Sequence, residues 1–384
     1  MSADSAIMAP APRTRSAGLW TLAWRRLIAD RVAVVSMVVV ALFLLLMLAS
    51  ALRLVGADWS EEVAVGYAPP SFVGARTTAT VAVADKPKQA TSNAYPGTVK
   101  DPLAAEIAEL RAQIEGGPST IDANGDPDLG DIQVVDPLAA EMKEILGAPH
   151  VIEVKRELAQ TLPFGADKWG RDIILKTIKG SETSIFVGLS AALLATIIGT
   201  VLGAYAGYYG GRVDDFFNWF YNVFTAIPYM LLILAIAAVL NQRGVTAVVL
   251  ILGLTGWTGI YRLVRAEYLK HKSREYVQAA DAIGASNARR MFIHIFPNIS
   301  HVSLVQLSVN AVGFIKSEVI LSFLGFGVPV DKVSWGSMLN EAQNELILGY
   351  WWQLAAATAA MAVLVTAFSM FTDALRDALD PKIK

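Results

Sequence analysis

Cysteine is absent from the 384 residues. That excludes a disulfide scaffold, a thiolate metal site and a cysteine nucleophile. Charge is scarce. Asp, Glu, Lys and Arg make up 17% of the chain and leave a formal net charge of −2, which gives no basis for a nucleic-acid partner. The few histidines, His150, His271, His294 and His301, lack the helical spacing of a zinc pair. No Gly-x-x-x-x-Gly-Lys-Ser/Thr loop occurs, so the chain is not expected to bind ATP by itself. No His-Glu-x-x-His or Gly-x-Ser-x-Gly pattern marks a hydrolase. Apolar residues are abundant: the chain is 54% hydrophobic with a mean hydropathy of +0.46. That is too apolar for an ordinary soluble domain and predicts an all-α polytopic membrane protein.

A bilayer core takes about 20 apolar residues in helical form. Six runs meet this requirement: Val32–Ser50, Ser184–Tyr208, Phe216–Leu240, Val245–Val264, Leu304–Leu324 and Trp352–Phe371. Basic residues set the sidedness. Arg13, Arg15, Arg25, Arg26 and Arg31 precede the first run. With six spans, the loop carrying Arg265, Lys270, Lys272, Arg274, Arg289 and Arg290 falls on the same side, as does the tail with Arg376, Lys382 and Lys384. Both termini are therefore expected in the cytoplasm. The expected organisation is a cytoplasmic segment 1–31, a first span 32–50 and an external region 51–183. A five-span core 184–373 with a cytoplasmic loop 265–303 and a tail 374–384 follow. Ala49-Ser50-Ala51 also resembles a signal-peptidase site, but the apolar run is longer than a signal peptide needs, so an uncleaved anchor is expected.

Several residues inside the spans stand out. Gly199, Gly203 and Gly207 share one helix face and predict close helix packing. Pro228 predicts a kink in the third span. Kinked helices line transport paths, and they also occur as plain kinks. Lys316 and Glu318 lie in or near the fifth span, where ionisable groups face a cavity or a partner. The alternative is that they flank a shallow, water-exposed part of that helix.

Between two apolar runs lies Glu-Tyr-Val-Gln-Ala-Ala-Asp-Ala-Ile-Gly-Ala-Ser, residues 275–286. As a helix it places Tyr276, Ala279, Ala280 and Ile283 on one face. Gly284 ends or bends it, and Ser286 or Asn287 caps a second short helix that stops before Pro297. Alanines give little lipid affinity, so the expected neighbour is a protein groove rather than a membrane surface.

This stretch resembles the cytoplasmic EAA loop of ABC-importer permeases. The match is carried by Gln278-Ala279-Ala280, Gly284 and Ile295-Phe296-Pro297, and Gln278 stands where that family usually has Glu. Residues 163–173 (PFGADKWGRDI), 322–339 (SFLGFGVPVDKVSWGSML) and 373–381 (DALRDALDP) are similar to segments of the dipeptide/oligopeptide C-subunit branch. The resemblance covers 19–71 loosely and 162–384 closely. It implies a type I ABC importer permease fold of six transmembrane helices in the bacterial cytoplasmic (inner) membrane. It also implies a second permease subunit, two ATPase subunits that hold ATP and magnesium, and a periplasmic or lipid-anchored binding protein. Glu275, Tyr276, Gln278, Ala279, Ala280, Ile283, Gly284 and Pro297 are then the coupling residues. Pro228, Lys316 and Glu318 become candidates for the pathway or its gate.

Residues of about 72–160 fall outside that pattern and read as an acidic external insertion, partly helical. Asp-Pro-Leu-Ala-Ala-Glu occurs at 101–106 and at 136–141, and each copy is a good helix start. Asp122, Asn124, Asp126 and Asp128 alternate as in a calcium loop, but Pro127 and Gln133 occupy positions where that loop needs Gly and Glu. An acidic turn is expected there. Besides a peptide importer, the branch includes importers of glutathione, nickel chelates and peptide antibiotics. A membrane-anchored sensor or scaffold working through its acidic domain is the alternative of another class.

Overall fold

The computed structural model describes residues 19–74, 158–240, 242, 244–329 and 332–379. The chain divides into two units, Met1–Arg76 with Leu158–Lys384, and Thr77–Glu157. The second unit lies outside the described residues, and with it the paired Asp-Pro-Leu-Ala-Ala-Glu segments and the calcium-like stretch. Arg13, Arg15, Lys382 and Lys384 lie outside them as well.

Among the described residues every regular element is a helix. In chain order they are α1 (Leu19–Ala29), α2 (Arg31–Ala51), α3 (Ile173–Tyr209), α4 (Gly211–Thr225), α5 (Tyr229–Leu240) and α6 (Val245–Thr255). There follow α7 (Thr258–Lys272), α8 (Glu275–Ala282), α9 (Asn287–Arg289), a π-helical segment Arg290–Ile295, α10 (Phe296–Phe323), α11 (Trp335–Ile347) and α12 (Trp352–Leu379). Five are long and apolar enough to cross a membrane: Arg31–Ala51, Ile173–Tyr209, Val245–Lys272, Asn287–Phe323 and Trp352–Leu379.

The third expected span departs from the sequence reading. Phe216–Leu240 is not one kinked helix. It is the pair α4 and α5, bent by 83° across a break that holds Pro228, and it makes a sixth span only if the pair is counted as one. Proline supplies no N–H to bond the preceding turn and its ring crowds that turn's carbonyl. Pro228 therefore leads into α5, where its own carbonyl accepts the Leu232 N–H at 3.0 Å.

The second span begins earlier than apolarity alone predicts. Asp172 caps α3 by accepting the N–H groups of Ile174 (2.7 Å) and Leu175 (3.4 Å), so the helix includes the polar stretch ahead of Ser184. Its 37 residues span about 55 Å at 1.5 Å per residue. That exceeds a hydrocarbon core of about 30 Å, so α3 carries structure beyond the bilayer. The main core surrounds α3 and gathers Ile185, Ala191, Ile233, Leu252, Phe314, Trp335 and Leu364 from six helices. Large apolar side chains such as Val35, Leu42, Leu193, Leu250 and Val363 remain exposed on the outside of the spans, as hydrocarbon-facing positions do.

The segments on either side of residues 75–157 pair with each other. Tyr67 donates its N–H to Asp167 O at 2.8 Å, and Ala166 donates to Ala68 O at 2.8 Å. Gly170 O accepts from both Val63 and Ala64. Gly170 has φ +80°, and a Cβ there would lie 1.9 Å from Ala64 O. Only glycine allows both that conformation and that approach.

Candidate coupling loop and transmembrane face

Helix α8 sits at the ends of α3 and α7. Its N-terminus lacks a side-chain cap; instead Gln278 Nε2 reaches back to the Ser273 carbonyl at 3.3 Å. Its C-terminus closes in a Schellman turn. Ala285 N donates to Ala280 O (3.0 Å) and Gly284 N to Asp281 O (2.8 Å), with Gly284 at φ +79°. That conformation places glycine there. Ser286 then caps the next helix by accepting the Arg289 N–H.

The face expected to be apolar is divided. Ala280 is buried, together with Val277 and Ala285, which the sequence reading had not assigned. Tyr276 (38% exposed), Ala279 and Ile283 (83% exposed) point outward with Glu275. The inner face is thus Val277–Ala280, spaced i, i+3, and the outer face is Tyr276–Ala279–Ile283, spaced i, i+3, i+7.

The inner face joins a tight cluster. Val277 packs with Ala204 and Tyr208 of α3, Ile260, Val264 and Tyr268 of α7, and Met291, Ile295 and Ile299 beyond the glycine. Tyr268 is fully buried and donates its hydroxyl to Met291 O at 3.1 Å. Arg290 pairs with Asp281 of α8, donates to Asn287 Oδ1 and lies 5.9 Å from the Tyr208 ring centre. Tyr208 in turn donates its hydroxyl to Asn287 at 3.1 Å. On the outer side, the Tyr276 hydroxyl meets His271 Nδ1 at 2.8 Å. Burial raises the Tyr276 phenol above its ordinary value, against the opposing hydrogen bond from Asn298.

Pro297 does not end a short second helix. Asn287 through Phe323 run on continuously, with the π-helical turn Arg290–Ile295 directly before the proline. The widened turn accommodates a residue that would clash with the carbonyl four positions back, and Asn298 Nδ2 satisfies His294 O at 2.7 Å. Helix α8 is thus joined through Gly284 to the foot of a membrane-spanning helix.

Gly199, Gly203 and Gly207 all face α7. A Cβ at these positions would lie 2.6 Å from Trp257 O, 2.7 Å from Tyr261 O and 2.5 Å from Arg265 O respectively. Backbone meets backbone along this seam, and side chains could not enter it. Helix α4 joins the same unit through Asp214, which Arg265 grips with Nε (2.5 Å) and Nη2 (2.6 Å).

Lys316 and Glu318 have different surroundings. Glu318 is fully buried among hydroxyls: Ser322 Oγ donates to it at 2.7 Å, and Ser184 and Ser334 stand beside it. It braces α10 against α3 and the start of α11. Lys316 is exposed and continues a polar seam on α10 formed by Gln306, Asn310 and Gly313. Gln306 Nε2 donates to Asn310 Oδ1 at 3.2 Å, and Asn310 Nδ2 is buried with no hydrogen-bond partner among the described residues.

A buried charge cluster at the opposite end of the helices escaped the sequence reading. Lys176 is 1% exposed and reaches Asp167 (2.7 Å), Glu341 (2.7 Å) and Gln353 (3.2 Å). Glu345, 2% exposed, has two carboxylate oxygens without partners among the described residues. Burial pushes its pKa up to about 7, with Glu341 and Asp167 reinforcing the shift and Lys176 opposing it. The cluster ties the 163–173 segment to α3, α11 and α12. Its members are scattered along the chain, and only Asp167 lies within a stretch that attracts notice.

Residues 199–384 match the family described as binding-protein-dependent transport system inner membrane component. The dipeptide transport system permease protein of Bacillus subtilis is 34% identical over 62% of this chain and 76% of its own length. The oligopeptide transport system permease protein of the same organism is 36% identical over 58% of this chain and 72% of its own. Its namesake from Salmonella typhimurium is 37% identical over 57% and 72%. The chain therefore belongs to the family of binding-protein-dependent inner-membrane transport components.

Proposed function

We propose that the chain is one of two permease subunits of an ATP-driven peptide importer, and that α8 is the element its ATPase subunits push. Under this reading two ATPase chains bind ATP and magnesium, a second permease completes the pathway, and an external binding protein delivers di- or oligopeptides. The N- and C-termini and α8 lie in the cytoplasm. Pro228, at the α4–α5 break, and Lys316 border the pathway. The peptide assignment is supported by the names of the relatives.

One observation carries the mechanism: α8 is fixed on its inner face to three spanning helices while Tyr276, Ala279 and Ile283 stand exposed. A rigid element with an unoccupied apolar face transmits a partner's motion into the membrane core. Gln278, turned back to the Ser273 carbonyl, leaves docking to the apolar face rather than to a charge at that position.

Ile283→Glu tests this reading without touching the buried side. Peptide uptake by cells carrying the complete importer should fall by about tenfold or more, with unchanged amounts of inserted chain. Normal uptake would show that α8 is not the coupling element.

A further inference from the structure

Two concavities open along α10 and share Arg376 in their walls. One, of about 390 Å³, lies between α7, α10 and α12 and is lined by Leu263, His301 and Gln306. The other, of about 400 Å³, lies between α10 and α12 and is lined by Gly313, Lys316, Ser369, Thr372 and Asp373. Arg376 lines both. Each falls in the size range of small-molecule sites, about 300–1,000 Å³.

Lys316 lies within the body of the spanning helix α10, while Asp373 and Arg376 stand in the last two turns of α12. Cations within a span are expensive and occur where water, a partner or a ligand meets them. Among the described residues neither Lys316, Asp373 nor Arg376 makes an ion pair or hydrogen bond. Two cations against one carboxylate leave one positive charge in excess. The guanidinium presents a planar fork that matches a carboxylate, and Lys316 adds a mobile second donor. Gln306 lines the first concavity and Lys316 the second, set among Val302, Val305, Val309 and Val312, so the wall offers an apolar surface with a few polar groups that can fix the charged end of an occupant.

We propose that this groove is a binding site for the C-terminal carboxylate of the transported peptide, held between Arg376 and Lys316. The site rests on the peptide-importer reading and adds a residue-level contact to it. It also implies that the permease itself, and not only the binding protein, discriminates among solutes.

The test uses the complete importer in lipid nanodiscs or proteoliposomes. A photoreactive amino acid replaces Val312, which lines the groove, and illumination follows addition of ATP and dialanine. Mass spectrometry reads what is attached. A dialanine adduct is expected. Unlabelled dialanine should compete for capture about tenfold better than its C-terminal amide. Lys316→Gln with Arg376→Gln should lower capture about tenfold, and Lys316→Arg should retain it. The competition arm needs no charge variant and is repeated with the binding protein left out, so it reads the discrimination of the permease itself even if the double variant fails to assemble. Lipid adducts alone, equal competition by the amide, or no peptide adduct in an importer that takes up dialanine would overturn the site while leaving the importer intact. Absence of peptide uptake in the unmodified importer would sink the proposed function, and the carboxylate site with it.

Discussion

Gly284 and Glu345 show how single residues set local energetics in this protein. At φ +79° a side chain at 284 meets open space, so the cost of Gly284→Ala is conformational, about 1–2 kcal/mol. The Schellman turn should loosen, and faster amide exchange over 279–286 in the purified chain would report it. Unchanged exchange would contradict the assigned role of the glycine.

Glu345 makes the opposite kind of prediction, one that depends on pH. Its folded pKa is raised to about 7, against about 4.3 for an unperturbed glutamate. The folded state therefore holds the proton more tightly, and this contribution is fully present at low pH. It declines as pH rises from about 4.3 to about 7. Glu345→Gln should flatten that decline and raise the melting temperature at pH 8 relative to the parent. A parent and variant with the same pH profile would show that Glu345 is not buried as a neutral acid. Its neighbour Lys176 predicts a third effect. Asp167→Ala leaves a buried ammonium short of one partner, so stability should drop by about 3–5 kcal/mol.

Elements are fixed by how closely they meet. Along the α3–α7 seam an added methyl at Gly203 would press on Tyr261 O and on Val264. Neither neighbour is the free end of a flexible side chain. Gly203→Ala should lower the melting temperature of the purified chain, by the roughly 1–3 kcal/mol of an overpacked contact. The period-four spacing made this face legible from the sequence. The Pro228 break was legible as a disturbance but not in size, because a proline announces a lost hydrogen bond and not an 83° turn. The inner face of α8 is not marked in the sequence, because alanine fits either side of a helix: Ala280 turns inward while Tyr276, Ala279 and Ile283 stay outside. Tertiary contact, not periodicity, selected Val277 and Ala280. The continuity of Asn287–Phe323 was hidden by Pro297, since a π turn that absorbs a proline leaves no compositional mark. The Lys176 cluster was illegible because its partners, Glu341 and Gln353, arrive from helices far away in the chain.

The described residues form a membrane-spanning helical bundle from which one small helix, α8, protrudes. At one end, the segments that flank residues 75–157 bond to each other through Tyr67–Asp167 and Ala68–Ala166. At the other end, α8 is anchored to α3, α7 and the foot of α10 through the Val277 cluster and Arg290. Force applied to α8 thus reaches three spanning helices directly, and α4 through the Arg265–Asp214 pair. The most direct test is recovery of the tagged chain from membranes in mild detergent, with mass spectrometry of the companions, beside an Ile283→Glu chain prepared identically. The account predicts a second permease with both chains, and ATPase subunits with the parent but not with the variant. ATPase subunits retained equally by both, or no ATPase with either, would contradict it.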